Sequence, residues 1–132
     1  MVSKMSLQNK IRSILVVDDN FDFRRSLIEF LKLEDYVVTG AVDGAEGLQV
    51  YESGSFDLVL TDIMMPNKAG FELINDILRL RPNQLIIAMT GGTKWISNFH
   101  LENASEMGAQ RVLQKPFSMK ELIQAIRGLE NE

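Results

Sequence analysis

Four short, mainly apolar runs in this chain are each followed by side chains that could bind a metal ion or a phosphoryl group. The runs cover 14–17, 56–60, 85–89 and 111–113, and the groups that follow them are Asp18 and Asp19, Asp62, Thr90 and Lys115. Runs of this kind are typical of strands buried in a parallel sheet. Open α/β sheets bind their ligands where such strands end, although an Asp at that point can also simply cap a turn.

Three carboxylates brought together in one pocket would repel one another. At an effective dielectric constant of about 20, two like charges about 4 Å apart cost on the order of 4 kcal/mol. Either a carboxylate is protonated or a cation neutralises the group, and oxygen ligands favour a small hard ion such as Mg²⁺ (or Mn²⁺). Lys115 adds a mobile charge and Thr90 a hydroxyl donor. Together the side chains predict phosphoryl transfer to a carboxylate, with Asp62 as the nucleophile.

Segments with helical spacing separate these runs. After Asn20, the apolar residues Phe23, Leu27 and Leu31 fall on one face, and Arg24 is predicted to point away from it. Asp43 is expected to cap a second helix whose apolar positions are Ala45, Leu48 and Tyr51. Ser118 and Glu121 form a capping-box pattern at the start of the last helix.

Strands and helices alternate along the whole chain. A further strand is predicted at 36–39, a helix through 71–78 that ends before Pro82, and a helix at 95–107. Five strand–helix repeats predict an α/β fold with a parallel sheet and helices on both faces. Right-handed crossovers then place the carboxyl ends of all strands at one edge. We expect a doubly wound, five-stranded, flavodoxin-like (βα)5 sheet in the order 2-1-3-4-5.

The composition limits the classes of protein to which this chain can belong. Its 132 residues suffice for one domain, and 45% hydrophobic with 24% charged residues is typical of a globular protein. The lack of cysteine excludes thiolate metal sites, and a single histidine, His100, argues against zinc. A net charge of −4 argues against nonspecific binding to nucleic acid or membranes. Since no apolar stretch approaches the roughly 20 residues that span a bilayer, we expect a cytoplasmic protein.

The motifs at the predicted strand ends resemble those of one protein family. They are Asp18-Asp19, Asp62-Ile63-Met64-Met65-Pro66 with Gly70, Thr90-Gly91 and Lys115-Pro116-Phe117, together with AVDGAEGL at 41–48. The set is similar to that of the receiver domains of two-component response regulators. The resemblance covers roughly residues 11 to 130, and each motif follows the expected strand.

This resemblance implies a role for each residue. Asp62 would accept a phosphoryl group from a phosphohistidine on a sensor histidine kinase or a histidine phosphotransfer protein. The implied Mg²⁺ ligands are the side chains of Asp18, Asp19 and Asp62 and the backbone carbonyl of Met64. Thr90 would be the switch hydroxyl and Lys115 the lysine that binds the transferred group. The signal would reach a downstream protein through the face formed by the fourth helix, the fifth strand and the fifth helix.

Two features depart from the family pattern. Val112 occupies the position, three residues before Lys115, where relatives often carry an aromatic partner of the switch hydroxyl. The segment 90–109 is about three residues longer than usual, and we expect it to move on activation. Trp95 and Phe99 in this segment are interpreted either as core residues that cover strand ends or as contacts to a partner. His100 is predicted to be a surface or packing residue.

We expect residues 1–10 to be an N-terminal leader or tag and 11–130 to be a single receiver domain without an effector domain. The phosphoacceptor hypothesis predicts a signalling module and not an enzyme. A metal-dependent aspartyl phosphatase would need a general acid where Met64 stands, and Asp18-Asp19 would repel the phosphate of a flavin cofactor. A receiver-shaped scaffold that is never phosphorylated stays open as the alternative.

Overall fold

The computed structural model describes residues 10–65, 68, 70–91 and 108–131. Its described strands form one parallel sheet in the order β2-β1-β3-β4-β5, which confirms the predicted topology. The strands are β1 (Ser13–Val17), β2 (Val37–Ala41), β3 (Leu58–Asp62), β4 (Leu85–Thr90) and β5 (Arg111–Gln114). Asp62 therefore is the last residue of a central strand, and Thr90 the last residue of its neighbour.

Four helices lie among the described residues; three of them connect successive strands and the last follows β5. They are α1 (Phe21–Leu33), α2 (Gly44–Ser53), α3 (Gly70–Leu80) and α4 (Met119–Glu130). The caps follow the sequence, because Asp43 accepts a hydrogen bond from the Glu46 N–H and Ser118 forms a capping box with Glu121. The predicted helix at 95–107 lies outside the described residues. No described helix is long and apolar enough to cross a membrane.

Alternate residues of each central strand pack against opposite layers of helices. On one face, Leu15 and Val17 belong to the apolar cluster that includes Tyr51 of α2 and Leu73 of α3. On the other face, Val16 lies in the cluster built from α1 and α4. A strand buried on both faces has no polar side, which is why the sequence shows apolar runs and not alternation.

The amino edge of the sheet, opposite the predicted site, is closed by polar contacts. The Ile11 N–H donates a hydrogen bond of 2.8 Å to a carboxylate oxygen of Glu130 at the end of α4. Asp57 accepts hydrogen bonds from the main-chain N–H groups of Arg12 and Ser13 just before and at the start of β1. These contacts fix the strands at one edge and leave the carboxyl edge to the site.

Two details of the helix predictions were wrong. The residues of α2 that face the core include Gly47, whereas Ala45 is exposed. A β-carbon at Gly47 would lie 3.2 Å from side-chain atoms of Leu73 and Val17, so α2 packs closely at a position with no side chain. Arg24 was the other error, because its half-buried guanidinium donates a hydrogen bond to the main-chain oxygen of Asp18 at the end of β1.

Candidate functional site

Asp18 follows β1 directly and is completely buried. Its main-chain N–H donates to the Ala41 oxygen at 3.2 Å, which continues the β1–β2 pairing by one residue. Its side-chain Oδ1 accepts a hydrogen bond of 2.9 Å from the Asn20 N–H, and the Asn20 side chain in turn caps α1 by accepting from the Phe23 N–H. The sequence Asp-Asp-Asn thus ends a strand, turns the chain and begins a helix within a few residues.

Arg24, at the start of α1, stabilises the bend of the chain that follows Asp18. Its Nη1 donates a hydrogen bond of 2.7 Å to the main-chain oxygen of Asp18. The guanidinium also lies 5.6 Å from the centre of the exposed Phe21 ring. The helical pattern placed Arg24 on the outer face, but its side chain is long enough to reach back to the strand end.

Asp62 is held at the end of β3 by its neighbours along the chain. Its Oδ1 accepts a hydrogen bond of 3.1 Å from the Met64 N–H, and its main-chain oxygen accepts from the Thr61 hydroxyl at 2.9 Å. The Ile63 N–H donates a hydrogen bond to the Met89 oxygen of β4, and the Gly70 N–H donates one to the Ile63 oxygen. The loop that follows Asp62 therefore begins and ends against β3.

Lys115 connects the two buried acids. Its Nζ donates to Asp18 Oδ2 at 2.8 Å and to Asp62 Oδ2 at 3.0 Å, although these residues are 97 and 53 positions away in sequence. Its main-chain N–H donates to the Thr90 oxygen at 2.6 Å, and the Lys115–Pro116 peptide bond is cis. A β-carbon at Gly91 would lie 2.9 Å from Lys115 Cδ, so a glycine there leaves room for the lysine stem.

Three carboxylates face one another in this pocket. One oxygen each from Asp18, Asp19 and Asp62 lies within 4.8 Å of the other two, and Asp19 is the exposed member. Burial raises the pKa of Asp62, the charge and hydrogen bond of Lys115 lower it, and the charge of Asp18 raises it, with a net upward shift. An all-oxygen donor set with excess negative charge suits Mg²⁺.

The same contacts act on the lysine. Burial by itself lowers the pKa of Lys115, but hydrogen bonds to Asp18 and Asp62 and their negative charges raise it, and the net shift is upward. The ammonium therefore stays charged, while the Asp62 carboxylate is less stable than in water despite its partner. A positive charge is thus held next to an acid that would gain from a further cation.

Thr90 ends β4 at the carboxyl edge of the sheet, and its side chain is buried. The residue is 1% exposed, and its Oγ1 has no hydrogen-bond partner among the residues that the structure describes. A buried hydroxyl left in this state costs stability, which natural sequences tolerate mainly at functional positions. The chemistry of the group makes it a donor for an incoming oxygen.

The carboxylates and the lysine ammonium of the predicted site are thus brought together, with two qualifications of detail. Met64 is exposed, and its recorded contact to Asp62 runs through its N–H, so the role of its carbonyl stays a prediction. Val112 packs against the apolar cluster next to β4, as an aliphatic residue would. Trp95, Phe99 and His100 lie outside the described residues.

Sequence reasoning missed two residues of this pocket. Arg24, which holds the Asp18 carbonyl, was assigned to the solvated face of α1. Phe23 was assigned only to the core, although its ring lies 4.3 Å from Lys115 Nζ. The one sequence signal for both is their position in the first turn of α1, directly after the acidic pair and Asn20, but this position does not tell how far a side chain reaches or which rotamer it takes.

Comparisons with known proteins agree with this geometry. A family model described as response regulator receiver domain matches residues 14–127. The transcriptional regulatory protein CiaR of Streptococcus pneumoniae is 34% identical over 117 residues, which are 88% of this chain and 50% of CiaR. The chain thus spans about half, or less, of the first curated relatives that it matches.

Solved structures give the same result. A response regulator receiver domain protein from Clostridium thermocellum superposes with a TM-score of 0.83 at 28% identity, over 92% of this chain and 95% of that one. The response regulator TrrA from Thermotoga maritima, solved in complex with Mg²⁺ and BeF, superposes with a TM-score of 0.79 at 32% identity, over 90% of this chain and 99% of TrrA.

Proposed function

Since this chain belongs to the response regulator receiver domain family, we propose that Asp62 accepts a phosphoryl group from a phosphohistidine in a two-component or phosphorelay pathway. The observation that carries this proposal is the placement of the Lys115 ammonium, which donates to both Asp18 and Asp62 at the open edge of the sheet. A charged lysine beside a nucleophilic carboxylate binds the oxygens of an incoming phosphoryl group.

The residues present suit a divalent cation. Asp18, Asp19 and Asp62 would hold Mg²⁺ (or Mn²⁺), and the Met64 carbonyl is the further ligand that the sequence predicts. The ion would neutralise the carboxylates and the phosphoryl oxygens as they approach. The relative TrrA was solved with Mg²⁺ and BeF, which supports the same assignment here.

The transfer itself uses side chains of this chain. An oxygen of the Asp62 carboxylate attacks phosphorus, the P–N bond to the donor imidazole breaks, and the imidazole keeps the electron pair and takes up a proton. Lys115 moves from the carboxylate to a phosphoryl oxygen, and the Thr90 hydroxyl, which has no partner in the described part of the chain, donates to another. Phosphorylated Asp62 carries about −1.5 to −2 charges in place of the single charge of the carboxylate, which draws Lys115 and Thr90 inward.

We propose a signalling role and not catalytic turnover. Met64 stands two residues after Asp62, where an aspartyl phosphatase would need an acid. The donor would be a sensor histidine kinase or a histidine phosphotransfer protein, and the recipient a downstream protein in the cytoplasm. CiaR is a transcriptional regulatory protein, but this chain spans only half of it, and we propose that the described domain does not itself bind nucleic acid.

The output must work without the usual aromatic switch. Val112 is half-buried in the core cluster, so its side chain has no large rotamer change to report phosphorylation. We therefore propose that Thr90 conveys the change through the backbone, where its oxygen accepts the short hydrogen bond from the Lys115 N–H. Movement of Thr90 would then shift β5 relative to β4 and change the face beside α4.

Incubation with acetyl phosphate, with and without Mg²⁺, tests the proposal. We expect the intact mass to increase by one phosphoryl group only when Mg²⁺ is present. Asp62→Asn should abolish this gain, because an amide is a poor nucleophile. The matched control is Asp35→Asn, an exposed position with a φ of 71° that tolerates asparagine well, and it should be labelled like wild type.

Other outcomes separate the alternatives. A label that persists in Asp62→Asn would place the acceptor elsewhere. Fast, steady release of inorganic phosphate from acetyl phosphate would favour a phosphatase. A folded wild-type protein that takes no label at any Mg²⁺ concentration would contradict the proposal and favour the unphosphorylated scaffold.

A further inference from the structure

The ring of Phe23 covers one side of the Lys115 ammonium. Lys115 Nζ lies 4.3 Å from the centre of this ring, well inside the distance at which a cation is attracted by an aromatic face. The Phe23 N–H is bonded to the capping side chain of Asn20, and the Phe23 and Phe117 rings pack in a T-shaped arrangement, with their centroids 5.8 Å apart and their planes at 80°. An aromatic residue is therefore built into the pocket beside the reacting groups.

The Lys115 ammonium is largely shielded from water. Its three donors include one bond to Asp18 and one to Asp62, and the Lys115 side chain is only 22% exposed. The π face of Phe23 adds an attraction to the ammonium that an aliphatic side chain at this position would lack. Loss of the ring would let water hydrate the ammonium and would widen the range of positions that it occupies.

We propose that Phe23 is a positioning residue, whose ring holds the Lys115 ammonium against Asp62 and so sets how fast Asp62 accepts a phosphoryl group. This inference rests on the proposed phosphoacceptor function. The attraction between the Phe23 ring and the ammonium is a contribution that an aliphatic side chain of similar size would not make. The competing explanation is that Phe23 only fills space between α1 and the sheet, as the half-buried Phe30 does on the same helix.

A spectroscopic measurement tests the contact without any phosphorylation. Protons above an aromatic face are shielded, so the ε-methylene protons of Lys115 should resonate upfield in a ¹H–¹³C spectrum, with the signal assigned by its loss in Lys115→Arg. Phe23→Leu should return the signal to its ordinary position, whereas Phe23→Tyr should keep it upfield. Phe30→Leu, the same substitution on the same helix and in the same apolar cluster, should leave it unchanged.

The rate of labelling by acetyl phosphate with Mg²⁺ tests the consequence. We expect Phe23→Leu to be labelled about two- to tenfold more slowly than wild type, which matches the strength of a partly exposed cation–π contact. Phe23→Tyr should restore the wild-type rate, and Phe30→Leu should not alter it. Urea unfolding of each variant checks that all of them are folded under the conditions of the assay.

The outcomes are distinguishable. A wild-type signal that is not displaced upfield, or a Phe23→Leu protein labelled as fast as wild type, overturns the role of Phe23 and leaves the proposed function intact. Equal slowing in Phe23→Tyr and Phe23→Leu also overturns it. A wild-type protein that shows the upfield signal but takes no label overturns the proposed function itself.

Discussion

Gly70 faces the main-chain oxygen of Asp62 so closely that a β-carbon at position 70 would overlap it. The backbone of β3 and the start of α3 cannot separate easily, because the Gly70 N–H is bonded to the Ile63 oxygen. We therefore expect Gly70→Ala to lower the free energy of unfolding by about 1–3 kcal/mol, as measured in urea. The displaced end of β3 should also slow the labelling of Asp62.

Gly128 provides the control for this substitution. It lies in α4, and a β-carbon there would meet only the end of the Arg111 side chain at 3.6 Å, an ordinary contact distance. Since alanine is favoured over glycine within a helix, Gly128→Ala should leave stability unchanged or raise it by up to about 1 kcal/mol. Equal destabilisation by both substitutions would contradict the steric explanation for Gly70.

Thr90 should be replaceable by valine with a gain in stability. Its buried hydroxyl has no partner among the described residues, and a buried hydroxyl left without a partner destabilises the folded state. We expect Thr90→Val to raise the free energy of unfolding by about 1 kcal/mol in the unphosphorylated protein. Urea unfolding without Mg²⁺ or phosphodonor measures this effect.

Thr61→Val should have the opposite sign. Thr61 is equally buried, but its hydroxyl donates to the Asp62 oxygen, so valine removes a hydrogen bond and leaves its acceptor with one partner fewer. The expected loss is about 1 kcal/mol. If the two threonine variants shifted stability in the same direction, the unpartnered state of the Thr90 hydroxyl would be refuted.

Mg²⁺ should stabilise the folded protein through the three carboxylates. At a concentration about ten times the dissociation constant, linkage gives a gain of about 1.4 kcal/mol in the free energy of unfolding. The physical reason is that the ion removes the repulsion between acids that lie within 4.8 Å of one another. Thermal unfolding over a Mg²⁺ titration, at constant ionic strength, measures this gain.

Variants of single acids show whether the gain comes from this pocket. Asp18→Asn removes a ligand and should abolish most of the Mg²⁺ effect. Asp35→Asn, at the exposed turn after α1, should keep it in full. An undiminished effect in Asp18→Asn would mean that Mg²⁺ acts elsewhere on the molecule.

Both tyrosines should resist ionisation in the folded protein. Burial raises the pKa of Tyr51, partly offset by Arg81, and burial also raises the pKa of Tyr36, with Glu130 adding to the shift. A proton retained by the folded state but lost by the unfolded state makes stability fall as pH rises above about 10, the ordinary tyrosine pKa. Ultraviolet titration in buffer and in urea should show the folded protein ionising at higher pH.

Tyr51→Phe isolates one of these groups. The Tyr51 hydroxyl donates a hydrogen bond of 2.6 Å to Gln84 Oε1, and both residues are buried, so its loss should cost about 1 kcal/mol at neutral pH. The decline in stability above pH 10 should then become shallower. A decline as steep as that of wild type would show that Tyr51 does not contribute to it.

Much of the fold and the convergence of the site follow from the sequence for a physical reason. Strands buried on both faces need continuous apolar runs, and right-handed crossovers place the carboxyl ends of all these strands at the same edge of the sheet. Residues that follow separate runs, such as Asp62 and Lys115, must therefore meet. Their hydrogen bond of 3.0 Å joins groups whose proximity could be predicted without coordinates.

The errors in the sequence predictions arose where packing depends on how long a side chain is, or on the absence of a side chain. Periodicity locates the face on which a residue starts but not how far it reaches, so Arg24 was assigned to solvent although it holds the Asp18 oxygen. Gly47 carries no hydrophobic signal, and its role in the close approach of α2 to β1 shows only in three dimensions. The contact between Phe23 and Lys115 depends on a rotamer, which no spacing rule supplies.

The hydrogen bond from Ile11 to Glu130 joins residues 119 positions apart, at the sheet edge remote from the acids. The two ends of the described domain therefore lie close together. A circular permutant, with this junction sealed by a short linker and new ends opened at the exposed turn around Asp35, should keep every neighbouring strand pair and the same arrangement of carboxylates. The pocket depends on which strands lie side by side and not on which strand comes first in the chain.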